Sequence, residues 1–208
     1  MTDVSLTGHE FSVYTRIARM VLAEKGVAYA QIEVDPFAPL PAGYAHPFGK
    51  VPVLSHAGFH LYETSAITRY VDAEFRGRDL TPGDARAQAR MVHVISVVDT
   101  YGYWPMVRDL FGQQVFAPRL GIAPDKARIA KGLRDTGPVL AALEQIAQEG
   151  AVLHGPLTLA DCHLAPMIAC LVAAPQGVAC LARHPRLGRW WAEVSERDSM
   201  VRTDPGLP

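Results

Sequence analysis

A proline inside an otherwise strand-like run restricts this chain more than any other residue in it. Val51-Pro-Val-Leu54 is apolar and rich in β-branched residues. Pro52 has no N–H to give to a sheet ladder, so the run must lie at an edge or enter the sheet through a cis turn. Next, His56-Ala-Gly58 supplies a turn with a permissive glycine, and Phe59-His-Leu-Tyr62 returns as a second strand. Glu63-Thr64-Ser65 then opens a helix, since Ile67, Tyr70, Val71 and Phe75 recur at helical spacing. The exposed amides of such a helix start, together with a hydroxyl, make an anion site.

Upstream, residues 6–35 read as a short strand, a turn at Gly8, and a helix with Ile17, Met20 and Val21 on one face. Gly26 stops that helix, and residues 27–34 form a second strand. The order is βαβ then ββα, as in a thioredoxin-like domain spanning residues 1–77. Gly77-Arg-Asp-Leu-Thr-Pro-Gly83 is a turn-rich linker, and residues 84–208 show no strand pattern. A long helix is expected over 84–116, with Met91, Val94, Ile95, Val98 and Tyr101 on one stripe and a kink or break at Gly102 and Pro105. A second is expected over 124–147, interrupted at Gly137-Pro138. A third starts at Thr158 and bends at Pro166, and the last carries Leu187, Trp190, Trp191 and Val194. Thr158 and Asp161 have capping-box spacing, with Asp in place of the usual Glu or Gln. The tail over 202–208 is expected to be loosely held.

Composition excludes several classes of function. Of 208 residues 49% are hydrophobic, enough for one large or two small cores, and the formal net charge is only −1. The basic residues are scattered, which argues against nucleic acid as a partner. No apolar run approaches ~20 residues, and an acid stands at Asp3 where a signal peptide needs positive charge, so neither membrane nor export is expected. Cys162, Cys170 and Cys180 include no CxxC pair, which fits a reduced, cytoplasmic chain. The eight histidines show no metal-ligand spacing; His56 and His60 flank a hairpin turn, and no metal is expected.

Three segments together carry a resemblance. His46-Pro-Phe-Gly-Lys-Val-Pro52 is similar to the Asn-Pro-x-Gly-Lys/Gln-Val-Pro run of glutathione transferases, with His46 at the Asn position. Glu63-Thr64-Ser65-Ala66-Ile67 resembles their acidic-Ser-x-Ala-Ile helix start, with Thr64 for Ser. Leu157-Thr-Leu-Ala-Asp161 resembles the Leu-Thr-x-Ala-Asp box of their helical second half. The likeness covers about residues 4–197. It implies a serine-type, phi-like, bacterial member of the cytosolic glutathione transferase family: a thioredoxin-like glutathione-binding domain, then an all-helical electrophile-binding domain, paired as a homodimer. It also implies glutathione as co-substrate, with its thiolate attacking small apolar electrophiles, and glutathione peroxidase activity on organic hydroperoxides as a variant. The alternative is a catalytically silent binding protein on the same fold; retention of the residues below favours the enzyme.

Glutathione offers two carboxylates, one ammonium and a thiol of pKa about 8.5. The resemblance gives Glu63 to the ammonium, Thr64 and the amides behind it to the γ-glutamyl carboxylate, and Lys50 to the glycyl carboxylate. Val51, ahead of a cis Pro52, offers its N–H and C=O to the ligand main chain. Ser12 sits at the start of the first helix, the same distance before Leu22, Glu24 and Gly26 as the serine of phi enzymes. Its hydroxyl would favour thiolate, and lowering the thiol pKa by roughly 2 is worth about 2.7 kcal/mol. Ser12 read without the resemblance is an N-cap, and Tyr14 is the rival hydroxyl. Residues 36–45 lack the histidine that phi enzymes direct to the glycyl carboxylate. Tyr101, Tyr103, Trp104 and Phe111, clustered about Gly102 and Pro105, are the expected electrophile pocket.

Overall fold

The computed structural model describes residues 3–206. The chain divides into two compact units, one running to Leu80 and rejoined by Arg202–Pro205, the other Thr81–Val201. In the first, β1 (Val4–Gly8), α1 (Val13–Glu24), β2 (Ala30–Glu33), β3 (Val53–His56), β4 (Phe59–Tyr62) and α2 (Thr64–Glu74) follow in order. The sheet order is β2-β1-β3-β4. β1 runs parallel to β2 and antiparallel to β3, and β3 is antiparallel to β4. This is a thioredoxin-like mixed sheet. Leu6 pairs with Leu54, and both are buried. α1 packs on α2, closing Ile17, Met20, Val21 and Leu22 in with Ile67 and Val71, the stripes that helical spacing puts on one face.

The linker after α2 is pinned to this unit. Lys25 Nζ donates to Asp72 Oδ1 at 3.2 Å, Asp72 O at 3.0 Å and Arg78 O at 3.0 Å. Leu80 N–H donates to the same Asp72 Oδ1 at 2.9 Å. The two side chains are 1% and 6% exposed. A buried pair survives only when its remaining donors and lone pairs are also engaged, as they are here. The expected loose tail is corrected too. Arg202 ends a helical turn, Thr203 is buried, and Asp204 Oδ2 meets Arg16 Nη2 at 3.4 Å. Its last two positions, 207 and 208, lie outside the described residues.

The second unit is helical: α3 (Ala85–Val97), a wide-turn helix (Val98–Phe116), α4 (Ala117–Arg119), α5 (Lys126–Glu149), α6 (Leu159–Ala173), α7 (Gly177–Ala182), α8 (Pro185–Val194) and α9 (Asp198–Arg202). At Gly102 and Pro105, where a kink or break is expected, the chain does not leave the helix. The chain instead winds through them in π turns, and Ala117 N–H still donates five residues back, to Gly112 O. A wider turn accommodates a residue with no N–H and a ring that would strike the carbonyl of an α turn. Nor is α5 interrupted at Gly137-Pro138; Val139, Leu140 and Leu143 beyond it are buried and hold it in line. Among the described residues no helix is long and apolar enough to cross a membrane.

α6 is buried nearly all round and starts at a closed cap. Thr158 N–H and hydroxyl both donate to Asp161 Oδ2 at 2.7 Å, and Trp190 Nε1 donates to Asp161 Oδ1 at 2.7 Å. Burial raises the carboxyl pKa, and the bonds from Thr158 and Trp190 pull it back. Glu144 of α5 does similar work for α8, accepting from Arg186 N–H and Leu187 N–H at 3.0 Å.

Candidate functional site

Strand register brings the expected site residues to one end of the first sheet. Thr7 pairs with Val53 and Gly8 with Glu33, so the loop leaving β1 toward Ser12 lies beside the entry to β3, immediately after Val51 and Pro52. Val53 also pairs with Tyr62, which puts Glu63 and Thr64 at that same end. Both α1 and α2 therefore begin there, each with its N-terminal partial positive charge.

Ser12 is the N-cap of α1, with extended backbone, and its Oγ accepts from Thr15 N–H at 3.3 Å. That is a long bond for N–H to O. Among the described residues its own O–H meets no acceptor, so the hydroxyl can donate. The loop carrying it is tied down by Glu10 N–H donating to Glu33 Oε1 at 2.9 Å, by Phe11 N–H donating to His9 Nδ1 at 3.1 Å, and by Ser12 N–H donating to His9 O at 3.0 Å. Tyr14 lies in the first turn of α1, half-buried.

Val51–Pro52 is cis, as expected, with Pro52 buried and Val51 half-buried. Lys50 is exposed and Thr64 is 7% exposed. Glu63 is exposed and takes φ 69° with ψ 115°, a region glycine favours. It makes no side-chain cap bond to α2. Strained backbone of this kind costs about 1–3 kcal/mol and clusters at ligand sites.

His46, a departure from the family pattern, belongs to the same neighbourhood. Its ring lies 4.9 Å from that of Tyr62, and its Nδ1 accepts from Phe48 N–H at 3.2 Å, which fixes the Nε2–H tautomer. Burial lowers its pKa; Glu63 pulls it up and Lys50 pushes it down. Sequence reasoning missed Glu33 and His46 as site neighbours, since only the strand register and the folded loop put them there.

The aromatic residues of the second unit are dispersed. Tyr101 and Trp104 are exposed, Tyr103 is half-buried with its ring 6.0 Å from that of Trp104, and Phe111 is closed into the helical core. Burial raises the Tyr103 pKa against the pull of Arg108. Among the described residues no group of three or more His, Cys, Asp or Glu is placed to hold a metal. His56 instead meets Tyr70 Oη at 2.8 Å and His60 meets Ser55 Oγ at 2.7 Å.

Comparison with known proteins agrees with this geometry. Residues 6–79 match the family model described as glutathione S-transferase, N-terminal domain. Glutathione S-transferase 3 of Zea mays is 30% identical over an alignment covering 100% of this chain and 96% of that protein. Glutathione S-transferase F13 of Arabidopsis thaliana is 28% identical, with 98% and 96% covered. Among solved structures, glutathione S-transferase III in apo form superposes with a TM-score of 0.85 at 28% identity, covering 100% of this chain and 98% of that one. Glutathione transferase F7 from Populus trichocarpa gives 0.84 at 26%, covering 96% and 97%.

Proposed function

Since this chain belongs to the glutathione S-transferase family, we propose that Ser12 holds the sulfur of glutathione as thiolate while it attacks small apolar electrophiles. The observation that carries this reading is the convergence of two helix N-termini and the Val51-Pro52 step at one end of one sheet. Glutathione carries two carboxylates and a single ammonium, and that end offers amides and a lysine for its anions and Glu63 for its cation. The γ-glutamyl carboxylate goes to Thr64 and the opening amides of α2, the glycyl carboxylate to Lys50, and the cysteinyl peptide unit to Val51 N–H and C=O. This leaves the thiol at Ser12, whose hydroxyl donates to sulfur and favours loss of the thiol proton to solvent. The thiolate then forms the carbon–sulfur bond of the conjugate, and a leaving group departs or a proton is taken up. Tyr101, Tyr103 and Trp104 are the aromatic surface proposed for the electrophile. Phe111, closed into the core, is not part of that surface.

The setting proposed is the cytosol, and the assembly a homodimer of phi-like type. Support for the dimer is an apolar margin on the first unit: Phe48 and Phe59 are exposed, and Tyr62 is partly so, along edge strand β4 and the loop before β3. A light-scattering mass of a single chain would overturn it.

Ser12→Ala tests the mechanism. It should lower kcat by about tenfold to a hundredfold while changing glutathione affinity little, because the lost bond matters to the charge on sulfur. The ultraviolet absorbance of bound thiolate should then titrate at a higher pH than in the unaltered protein. Tyr14→Phe is the control. A fully active Ser12→Ala beside an inactive Tyr14→Phe would transfer the role to Tyr14.

A further inference from the structure

The segment between β2 and β3 contains neither helix nor strand, yet it leads into the Val51-Pro52 step proposed to meet the ligand main chain. Its order comes from side chains and tight turns. Tyr44 N–H donates to Pro41 O at 3.1 Å and Gly49 N–H to His46 O at 3.0 Å, while Phe48 N–H donates to His46 Nδ1. One further bond closes this loop: Tyr44 Oη donates to the Lys50 carbonyl at 2.8 Å.

That carbonyl belongs to the same planar peptide unit as the Val51 N–H, and in a trans unit the two point in opposite directions. A donor that fixes the carbonyl therefore fixes the N–H as well. It also polarises the amide, which makes the N–H a stronger donor to whatever lies on the other side. Among the described residues Val51 N–H and C=O take part in no backbone bond, and Val51 is half-buried at the end of the sheet where Ser12 and Thr64 converge. A peptide unit held on its far side and open on its near side is prepared for a ligand main chain.

We propose that Tyr44 is a positioning residue for glutathione: its hydroxyl locks the Lys50–Val51 peptide so that Val51 N–H meets the cysteinyl carbonyl of the tripeptide. The inference rests on the reading that Val51 lines the ligand's main chain. Tyr44 itself touches no substrate. Burial raises the pKa of its phenol, so it stays a donor across the working pH range. Nothing in the sequence marked it, because a tyrosine in a Pro- and Gly-rich stretch has no periodicity to report its partner.

Tyr44→Phe keeps the ring and removes only the donor. Steady-state kinetics with an aryl halide and varied glutathione, together with calorimetric titration of glutathione, should show KM and Kd for glutathione raised about three- to tenfold, the weight of one neutral hydrogen bond. The kcat at saturating glutathione should stay within about twofold, as for lost ground-state binding, with the melting temperature unchanged. Unaltered glutathione Kd in Tyr44→Phe, with tight binding by the parent and loss in Glu63→Ala, would overturn the role of Tyr44 and leave the site reading standing. A fall in kcat without a rise in KM, or a fall in melting temperature that accounts for the lost activity, would also overturn it. A parent protein that binds no glutathione would remove the site reading, and this inference with it.

Discussion

At the start of α6, one carboxylate takes every donor within reach: Thr158 N–H, the Thr158 hydroxyl and the indole of Trp190 all bond to Asp161, and the group is buried. At the start of α2, the corresponding acid faces solvent, makes no side-chain bond to its helix and takes a positive φ. Both helices open with a threonine and an acid, and both need acceptors for their first amides. The α6 start is closed by its own residues, which makes it a folding device. The α2 start has been left unfinished, and in the proposed function its amides and hydroxyl are the groups an anion from outside would complete. Ser12 lies between the two: its cap bond to Thr15 is long, and its O–H is still to be used. How far a helix start satisfies itself separates stability from binding here better than residue type does.

The comparison breaks most severely at Asp161. Asp161→Ala strands the indole N–H and the Thr158 amide in a buried setting, and at roughly 1–3 kcal/mol for each unsatisfied buried donor the expected loss is about 3 kcal/mol. Urea unfolding measures it. Activity per folded molecule should be preserved, since the donors at this cap are all engaged by Asp161 itself. A variant that unfolds like the parent but has lost turnover would place chemistry at α6 and undo the distinction.

Much of this contrast was legible because helix starts announce themselves locally. Thr158-Leu-Ala-Asp161 and Glu63-Thr64-Ser65 lie within a turn of what they cap, and Pro52 and Gly58 act within a residue or two. What stayed hidden depends on distance along the chain. Lys25 and Asp72 form a buried pair with a separation of 47, Glu144 caps a helix that begins at Pro185, and Arg16 meets Asp204 across 188. A charged residue on a helix reads as solvated face until its partner arrives. The π turns through Gly102 and Pro105 were missed for a different reason. Proline penalises the α turn but does not say whether the chain breaks, widens or, as at Pro138, continues, and at Pro105 packing against α5 decides.

A smaller effect is expected at the open start. Glu63→Ala removes the proposed partner of the glutathione ammonium, and loss of a charge-assisted contact of ~1.5–3 kcal/mol weakens binding about tenfold to a hundredfold. Retention on immobilised glutathione and calorimetry both report it. Stability should change little, because an exposed carboxylate without a cap bond gives the fold almost nothing. Burial lowers the pKa of neighbouring His46, which is therefore mostly neutral at pH 7 and gains little from the charge. Unchanged affinity in this variant would remove Glu63 from the site.

The smallest effect is the most discriminating, because at Glu63 stability and binding should move in opposite directions. Glycine is the residue its φ of 69° favours. Glu63→Gly releases backbone strain of about 1–3 kcal/mol, offset by the ~0.5–1 kcal/mol that glycine's freer unfolded chain costs. The net gain expected is roughly 1 kcal/mol, a rise in melting temperature of about 2–4 °C for a chain of this size. Glutathione affinity should fall as far as in Glu63→Ala, since the carboxylate is gone in both. A protein made steadier by a change that costs it its ligand has kept a strained residue for binding. Should Glu63→Gly instead melt lower than the parent, the Glu63 carboxylate would be holding the fold, and the start of α2 would be as closed as that of α6.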